Sequence, residues 1–203
     1  VYDITVTASD GALSTSKAVA ITVTNANEAP VVTSGATASF AENGTGTVYT
    51  AAGSDPDAGA TLTYALGGTD AALFNINATS GAVTFKAAPN FEVPGDVGGN
   101  NVYDITVTAS DGALSSAARA VAIIVNNVNE APSVTSGATA SFAENGTGTV
   151  YTAAGSDPDA GATLTYALGG NDAALFNINA TTGAVTFKAA PNFEVPGDVG
   201  GNN

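Results

Sequence analysis

The sequence predicts an all-β protein: tandem sandwiches, each of seven short strands in Greek-key order. Three observations carry this. Apolar and polar residues alternate with period two over several short runs, as in "VYDITVTA" at Val102, where Tyr103, Ile105, Val107 and Ala109 fall on one face. Thr, Val and Gly abound while strong helix formers other than Ala are scarce, a composition suited to strands. Finally, the chain repeats itself: "VYDITVTASDGALS" starts at Val1 and again at Val102, and Glu28 recurs as Glu130.

Taken in order from Val31, one repeat contains the runs "TASFAEN", "TVYTAAG", "TLTYALGG", "LFNI" and "AVTFKA". After these come "VYDITVTA" and "RAVAIIVN", the last placing Val121, Ile123 and Val125 on one face. Gly, Asn, Asp and Pro punctuate the gaps, with Asn43-Gly44 a tight-turn signal. Seven strands in about 100 residues is the count of an immunoglobulin-like sandwich.

From Val31 to Asn101 the two copies differ only at Val31/Ser133, Thr69/Asn171 and Ser80/Thr182. A domain starting after Pro30 ends near Asn126. The expected organisation is therefore residues 1–24 as the last two strands of a preceding repeat, 25–30 as a linker and 31–126 as a complete repeat. A second linker at 127–132 and the first five strands of a following repeat at 133–203 complete it. The string "PGDVGGNN" is followed by "VYDITV" inside the chain, and the chain itself begins with "VYDITV", so head and tail splice without a gap. The sequence reads as a two-repeat stretch of a longer periodic array. With no partner strands beside it, the 1–24 hairpin would leave Tyr2, Ile4, Val6, Val19, Ile21 and Val23 facing water.

Composition narrows the function classes. Asp and Glu number 18, against four basic residues (Lys17, Lys86, Arg119 and Lys188), giving a net charge of −14. Nucleic-acid binding requires the opposite sign. The chain has no Cys and no His, which removes a disulfide framework, a zinc site and a Cys or His nucleophile system. What remains is oxygen donors, the ligand set of hard cations such as Ca²⁺. No apolar run approaches the ~20 residues of a membrane helix, so no membrane insertion is expected.

An ordered set of short motifs then completes the pattern. It runs Ala41-Glu42-Asn43, Asp55-Pro56-Asp57, "FNINATSGAV" from Phe74, Asn90-Phe91-Glu92, "ASDG" from Ala109 and Asn129-Glu130-Ala131-Pro132. In this order over one repeat the set resembles a cadherin repeat, most closely the bacterial cadherin-like repeats of large surface proteins. The resemblance implies cadherin-type sandwiches, an extracellular or cell-surface location, Ca²⁺ bound between repeats, and adhesion rather than catalysis. It also implies neighbouring repeats of the same or identical chains as head-to-tail partners, and a homophilic or cell-surface adhesion target.

Carried over residue by residue, the junction at Asn127–Pro132 would use Glu42 and Glu92 with Asn90 beside them, then Asn129, Glu130 and the Ala131 carbonyl, and Asp157 and Asp159. The junction at Asn25–Pro30 would use Asn27, Glu28, Ala29, Asp55, Asp57 and Asp111. Asp10 would serve an earlier junction, and Glu144, Asn192 and Glu194 a later one. Asn90 stands where the family usually has Asp, and Glu28 and Glu130 stand where its linker usually has Asp, which implies fewer or looser ions.

Several other readings bear on the same residues. Asp70, Asp96, Asp104 and Asp172 read as solvated surface acids. Asn43, Asn77, Asn145 and Asn179 each begin an Asn-x-Ser/Thr acceptor, in a chain rich enough in Thr and Asn for this to arise by chance. Acid–base catalysis by the carboxylate pairs is disfavoured because the pairs recur without any insertion that would build a pocket. An isopeptide crosslink from Lys86 or Lys188 is a minor alternative. Tyr49, Tyr64, Phe85 and Phe91 read as strand-interior residues, which argues against a glycan-binding face. A filament subunit, in which residues 133–203 of one chain pair with residues 1–24 of the next, is the main alternative to a stalk.

Overall fold

The computed structural model describes residues 1–200. They divide into two compact units, the first made of Val1–Pro89 and Pro94–Asn126, the second of Asn90–Val93 and the residues from Asn127 on.

The first unit carries β1 (Tyr2–Ser9), β2 (Ser14–Ile21), β3 (Val31–Val32), β4 (Thr37–Ala41), β5 (Thr47–Thr50) and β6 (Gly53–Ser54). These are followed by β7 (Thr63–Gly67), β8 (Phe74–Ile76), β9 (Ala82–Phe85), β10 (Val102–Ser110) and β11 (Arg119–Asn126). A four-stranded sheet in the order β4-β11-β10-β7 and a three-stranded sheet β5-β9-β8 supply the core, and β3 and β6 pair beside them. The alternation read in β10 and β11 is realised: Tyr103, Ile105, Val107, Ala109, Val121, Ile123 and Val125 are all buried. Phe74 packs on Phe85 with ring centroids 4.3 Å apart, and Tyr103 meets both rings edge-on at 5.9 and 5.0 Å. A register irregularity between Thr47 and Tyr49 turns both Val48 and Tyr49 inward, and the Tyr49 hydroxyl then donates to Ser34 Oγ and the Gly35 carbonyl.

One turn requires its glycine. Asn77 Oδ1 accepts the N–H groups of Thr79 and Ser80, and Gly81 follows at φ +72° with its carbonyl accepting from Ala51 N. A Cβ at Gly81 would lie 2.2 Å from the Ala51 carbonyl oxygen. Gly183 repeats the arrangement over Ala153.

β1 and β2 pair with each other from Tyr2↔Ile21 to Ser9↔Ser14 and belong to no larger sheet. Tyr2, Ile4, Val6, Ile21 and Val23 are exposed, and Val19 is half-buried.

The second unit contains β12 (Ser133–Val134), β13 (Thr149–Thr152), β14 (Gly155–Ser156), β15 (Phe176–Ile178) and β16 (Ala184–Phe187). Here the sequence expectation needs correction. "TASFAEN" at 139–145 and "TLTYALGG" at 163–170 form no strand, although their copies in the first unit form β4 and β7. The cause is the ladder partner. β4 pairs with β11 and β7 with β10, whereas the described residues after β16 contain no counterpart of β10 or β11. Sequence of strand type does not make a strand without a neighbour to receive its backbone hydrogen bonds.

Two acids read as surface groups are buried instead. Asp70 Oδ1 accepts Val97 N at 2.9 Å and its Oδ2 accepts Asp104 N at 2.7 Å, while Asp96 accepts the N–H groups of Asn100 and Asn101, both at 3.0 Å. Both carboxylates are structural acceptors: Asp70 pins the 95–104 loop to the 3-10 turn that follows it, and Asp96 closes that loop on itself. Asp104 itself is exposed and Asp172 half-buried. Phe91 lies outside the strands.

Candidate metal centre

The first linker, residues 25–30, is held against the carboxylates of its own unit. Asp55-Pro56-Asp57 follows β6, and its local turn has Asp57 N donating to Asp55 Oδ1 at 2.8 Å. This leaves Asp55 Oδ2 buried without a hydrogen-bond partner. Asp57 takes the linker with both oxygens: the Asn25 amide donates to Oδ1, and Glu28 N donates to Oδ2 at 2.9 Å. Asp111 sits in the turn after β10, where its Oδ1 accepts Ala113 N and Leu114 N, each at 2.7 Å. Its other oxygen accepts the Asn27 amide at 2.8 Å. The linker and three acids from two loops thus converge, and Ala29 lies on the same linker segment.

The second linker, residues 127–132, repeats this in its own unit. Asn127 donates to Asp159 Oδ1 at 2.7 Å, Glu130 N donates to Asp159 Oδ2 at 2.8 Å, and Asp159 N donates to Asp157 Oδ1 at 2.9 Å. Asn129 turns its amide to the Glu130 carbonyl at 3.2 Å, and Ala131 follows. Glu92, in the Asn90–Val93 segment of this unit, and Glu130 offer carboxylate oxygens within 4.8 Å of one another. Asn90 Oδ1 accepts Val93 N and so shapes that segment's turn. Glu42 directly follows β4 of the first unit, is buried, and donates its backbone N–H to Asn126 O at 3.0 Å.

The remaining predicted residues lie apart from the linkers. Asp10 caps the β1–β2 turn, accepting Ala12 N and Leu13 N. Glu144 Oε2 accepts Phe193 N at 3.1 Å, which brings it to the loop holding Asn192 and Glu194. Asn192 Oδ1 accepts Val195 N, and Glu194 is exposed. Lys86 and Lys188 donate their amines to the Ala72 and Ala174 carbonyls.

Electrostatics follow from these bonds. Asp57 is held below the usual carboxylate range by the Asn25 amide first and then by Glu28 N, against burial and the repulsion of nearby Asp111. Asp111 is lowered by the Leu114 and Ala113 N–H groups and by Asn27. Asp159 is lowered by Glu130 N and then Asn127, and Asp10 by Leu13 N and Ala12 N. All four are carboxylates at neutral pH. A hard divalent cation fits this donor set: several ionised carboxylates, amide oxygens and one buried carboxylate oxygen, Asp55 Oδ2, lacking a proton donor.

Asn25 and Asn127 are the residues the sequence reading missed. The signal was present, since each opens its linker three residues before Glu28 or Glu130, but the motif as read began at the next Asn.

No family model and no curated protein sequence matches the chain. Solved structures do. Human protocadherin-24 EC1-2 superposes with a TM-score of 0.60 at 21% identity, covering 83% of this chain and 81% of that one. A protocadherin gammaB7 EC3-6 cis-dimer structure matches with a TM-score of 0.61 at 25% identity over 94% of this chain, which spans 52% of that chain. Mouse cadherin-23 EC22-24 matches with a TM-score of 0.55 at 21% identity, over 83% of this chain and 56% of its own. With buried β-sandwich strands and a linker bound by Asp-Pro-Asp loops, the chain is cadherin-like, and its fold is that of cadherin extracellular domains.

Proposed function

We propose that the chain is a calcium-binding, extracellular array of cadherin-like repeats that serves as a stalk or adhesive segment of a large surface protein. The observation that carries this reading is the repeated seizure of a linker by one Asp-Pro-Asp loop: Asp57 holds Asn25 and Glu28, and Asp159 holds Asn127 and Glu130. Carboxylates gathered beside a short connecting peptide repel one another unless a cation joins them. At the first linker Ca²⁺ would be held by Asn27, Glu28, the Ala29 carbonyl, Asp55, Asp57 and Asp111. At the second it would be held by Asn129, Glu130, the Ala131 carbonyl, Asp157 and Asp159, with Glu92 and Asn90 of the same unit completing the set. Asp10, Glu144, Asn192 and Glu194 would play the same part toward further repeats. Bound Ca²⁺ supplies charge neutralisation, and the chain's own residues fix the linker's path. No catalytic role is assigned to any residue. Partners in this reading are neighbouring repeats and a homophilic or cell-surface adhesion target.

Calorimetric titration of the calcium-free chain with CaCl₂ tests the site. Heat from saturable binding in the micromolar-to-millimolar range is expected, reduced about tenfold or more in affinity by Asp159→Asn. X-ray scattering in the same buffers tests the stalk: the maximum particle dimension should grow and its distribution sharpen with Ca²⁺. No saturable binding at millimolar Ca²⁺ would sink the reading.

A further inference from the structure

The four Asn-x-Thr runs, at Asn43, Asn77, Asn145 and Asn179, are alike in sequence and unlike in structure. Asn43 and Asn145 have φ of +57° and +58°, and each precedes a Gly. Asn tolerates that left-handed backbone, so the turn itself explains the residue. Asn77 and Asn179 are not left-handed. Asn77 opens the turn between β8 and β9, and its Oδ1 accepts Thr79 N and Ser80 N, both at 3.0 Å. Gly81 N donates to Asn77 O at 2.8 Å, Asn77 N to Ala82 O at 2.9 Å and Tyr64 N to Ala78 O at 2.9 Å, which fixes the backbone around the amide. Two N–H donors on one side of the amide identify that side as oxygen and turn Nδ2 away from the backbone. Asn77, Ala78, Thr79 and Ser80 are exposed, and Nδ2 donates to no group among the described residues. Asn179 repeats the turn on Thr181 N and Thr182 N, again at 3.0 Å and again exposed.

Elsewhere the chain builds the same turn with a carboxylate. Asp10 Oδ1 accepts Ala12 N and Leu13 N at 2.9 and 2.8 Å, and Asp111 Oδ1 accepts Ala113 N and Leu114 N, each at 2.7 Å. An ionised acceptor makes the shorter and stronger bonds. In a chain with 18 acids, hydrogen bonding alone gives no reason for an amide at 77 or 179. Two things set these turns apart. The amide adds a nitrogen that Asp lacks, and two positions on stand Thr79 and Thr181, where Asp10 and Asp111 have Ala12 and Ala113.

We infer that Asn77 and Asn179 are attachment sites for an N-linked glycan, carried on the same turn of each repeat. The donor is a sugar activated as a diphosphate ester, nucleotide- or lipid-linked, and handled by a transferase. Nδ2 attacks the anomeric carbon. The bond from that carbon to the diphosphate oxygen breaks, and its electron pair leaves with the diphosphate. Nδ2 gives one of its two protons to a base of the transferase. The product is a secondary amide, and nothing is oxidised or reduced. Only the nitrogen changes, so the Oδ1 bonds that build the turn persist in the product. The site uses no metal ion and stands apart from the calcium reading.

The test offers the folded full chain, made in a host without N-glycosylation, two probes. One is UDP-glucose with a soluble glucosyltransferase specific for Asn-x-Ser/Thr. The other is a lipid-diphosphate oligosaccharide with an oligosaccharyltransferase. The intact mass should rise by whole transferred units in at least one arm, and the responding arm identifies the donor. Peptide mapping should place several-fold more sugar on Asn77 and Asn179 than on Asn43 and Asn145. Thr79→Ala should abolish the increment at Asn77, and Thr79→Ser should keep it. Asn77→Asp should lose the increment with an unchanged urea midpoint, because a carboxylate builds this turn at Asp111. No increment in either arm, sugar spread evenly over the four runs, or modification of Asn77 that survives Thr79→Ala would each overturn the inference. A lowered midpoint in Asn77→Asp would overturn it too, since the turn itself would then require the amide.

Discussion

At the residue scale, the acids divide into two kinds that sequence treats alike. Asp70 and Asp96 spend both oxygens on backbone N–H groups inside the first unit. Asp57 and Asp159 spend theirs on a linker. The first kind is a matter of stability. Asp70→Ala removes a buried acceptor from two part-buried N–H donors and should cost roughly 1–3 kcal/mol in urea unfolding. Asp172→Ala, at a half-buried position that accepts Val199 N at 2.8 Å, should cost visibly less. The second kind sets a pH dependence. Because Asp57, Asp111 and Asp159 are depressed on folding, the linker contacts are in force above the ordinary carboxylate range, near pH 4, and are lost as pH falls through the lowered values. Side-chain amide signals of Asn25, Asn27 and Asn127 should therefore stay dispersed at pH 6 and collapse toward free-amide positions only as pH falls below the ordinary carboxylate range. Which acids belong to which kind was only partly legible. Asp-Pro-Asp and Ser-Asp-Gly announce their turns, but nothing local to Asp70 announces that Val97 and Asp104, far along the chain, will come to it.

At the element scale, period-two patterning located every long strand of the first unit, because alternation records which face is wet. It missed β3 and β6, two-residue pairings that carry too few positions to show a period. It over-read 139–145 and 163–170, because pattern says which face a strand would bury and not whether a partner is there. The Asn77–Gly81 turn, by contrast, is fixed locally. Gly81→Ala must place a Cβ 2.2 Å from the Ala51 oxygen at φ +72°, and should destabilise the first unit by about 2 kcal/mol or more, seen as a lowered urea midpoint with unchanged slope.

At the scale of the whole molecule, the two units share nearly one sequence and differ in how much of it is inside. The fully buried large side chains, Ile105, Ile123, Val83, Val107, Val121 and Val125, all belong to the first unit, and Val185 is the one buried apolar side chain of the second among the described residues. Hydrogen exchange should accordingly show slow amides in β10 and β11 and fast ones throughout 133–187 in the dilute chain. Uniform protection across both units would contradict the burial pattern. The repeat itself was wholly legible, down to five strand-type runs in 133–203; which of those runs would form ladders followed only from knowing which strands lie between which.

The parallel pairing of β4 with β11 joins residues 85 positions apart, so a repeat cannot close until its last strand has been synthesised. Until then a nascent repeat waits beside older neighbours whose strands are spelled almost identically. Recognition between true and false mates rests on tethering and timing alone, and rapid dilution from denaturant should yield crossed-over, entangled products where slow, ordered emergence from the ribosome does not.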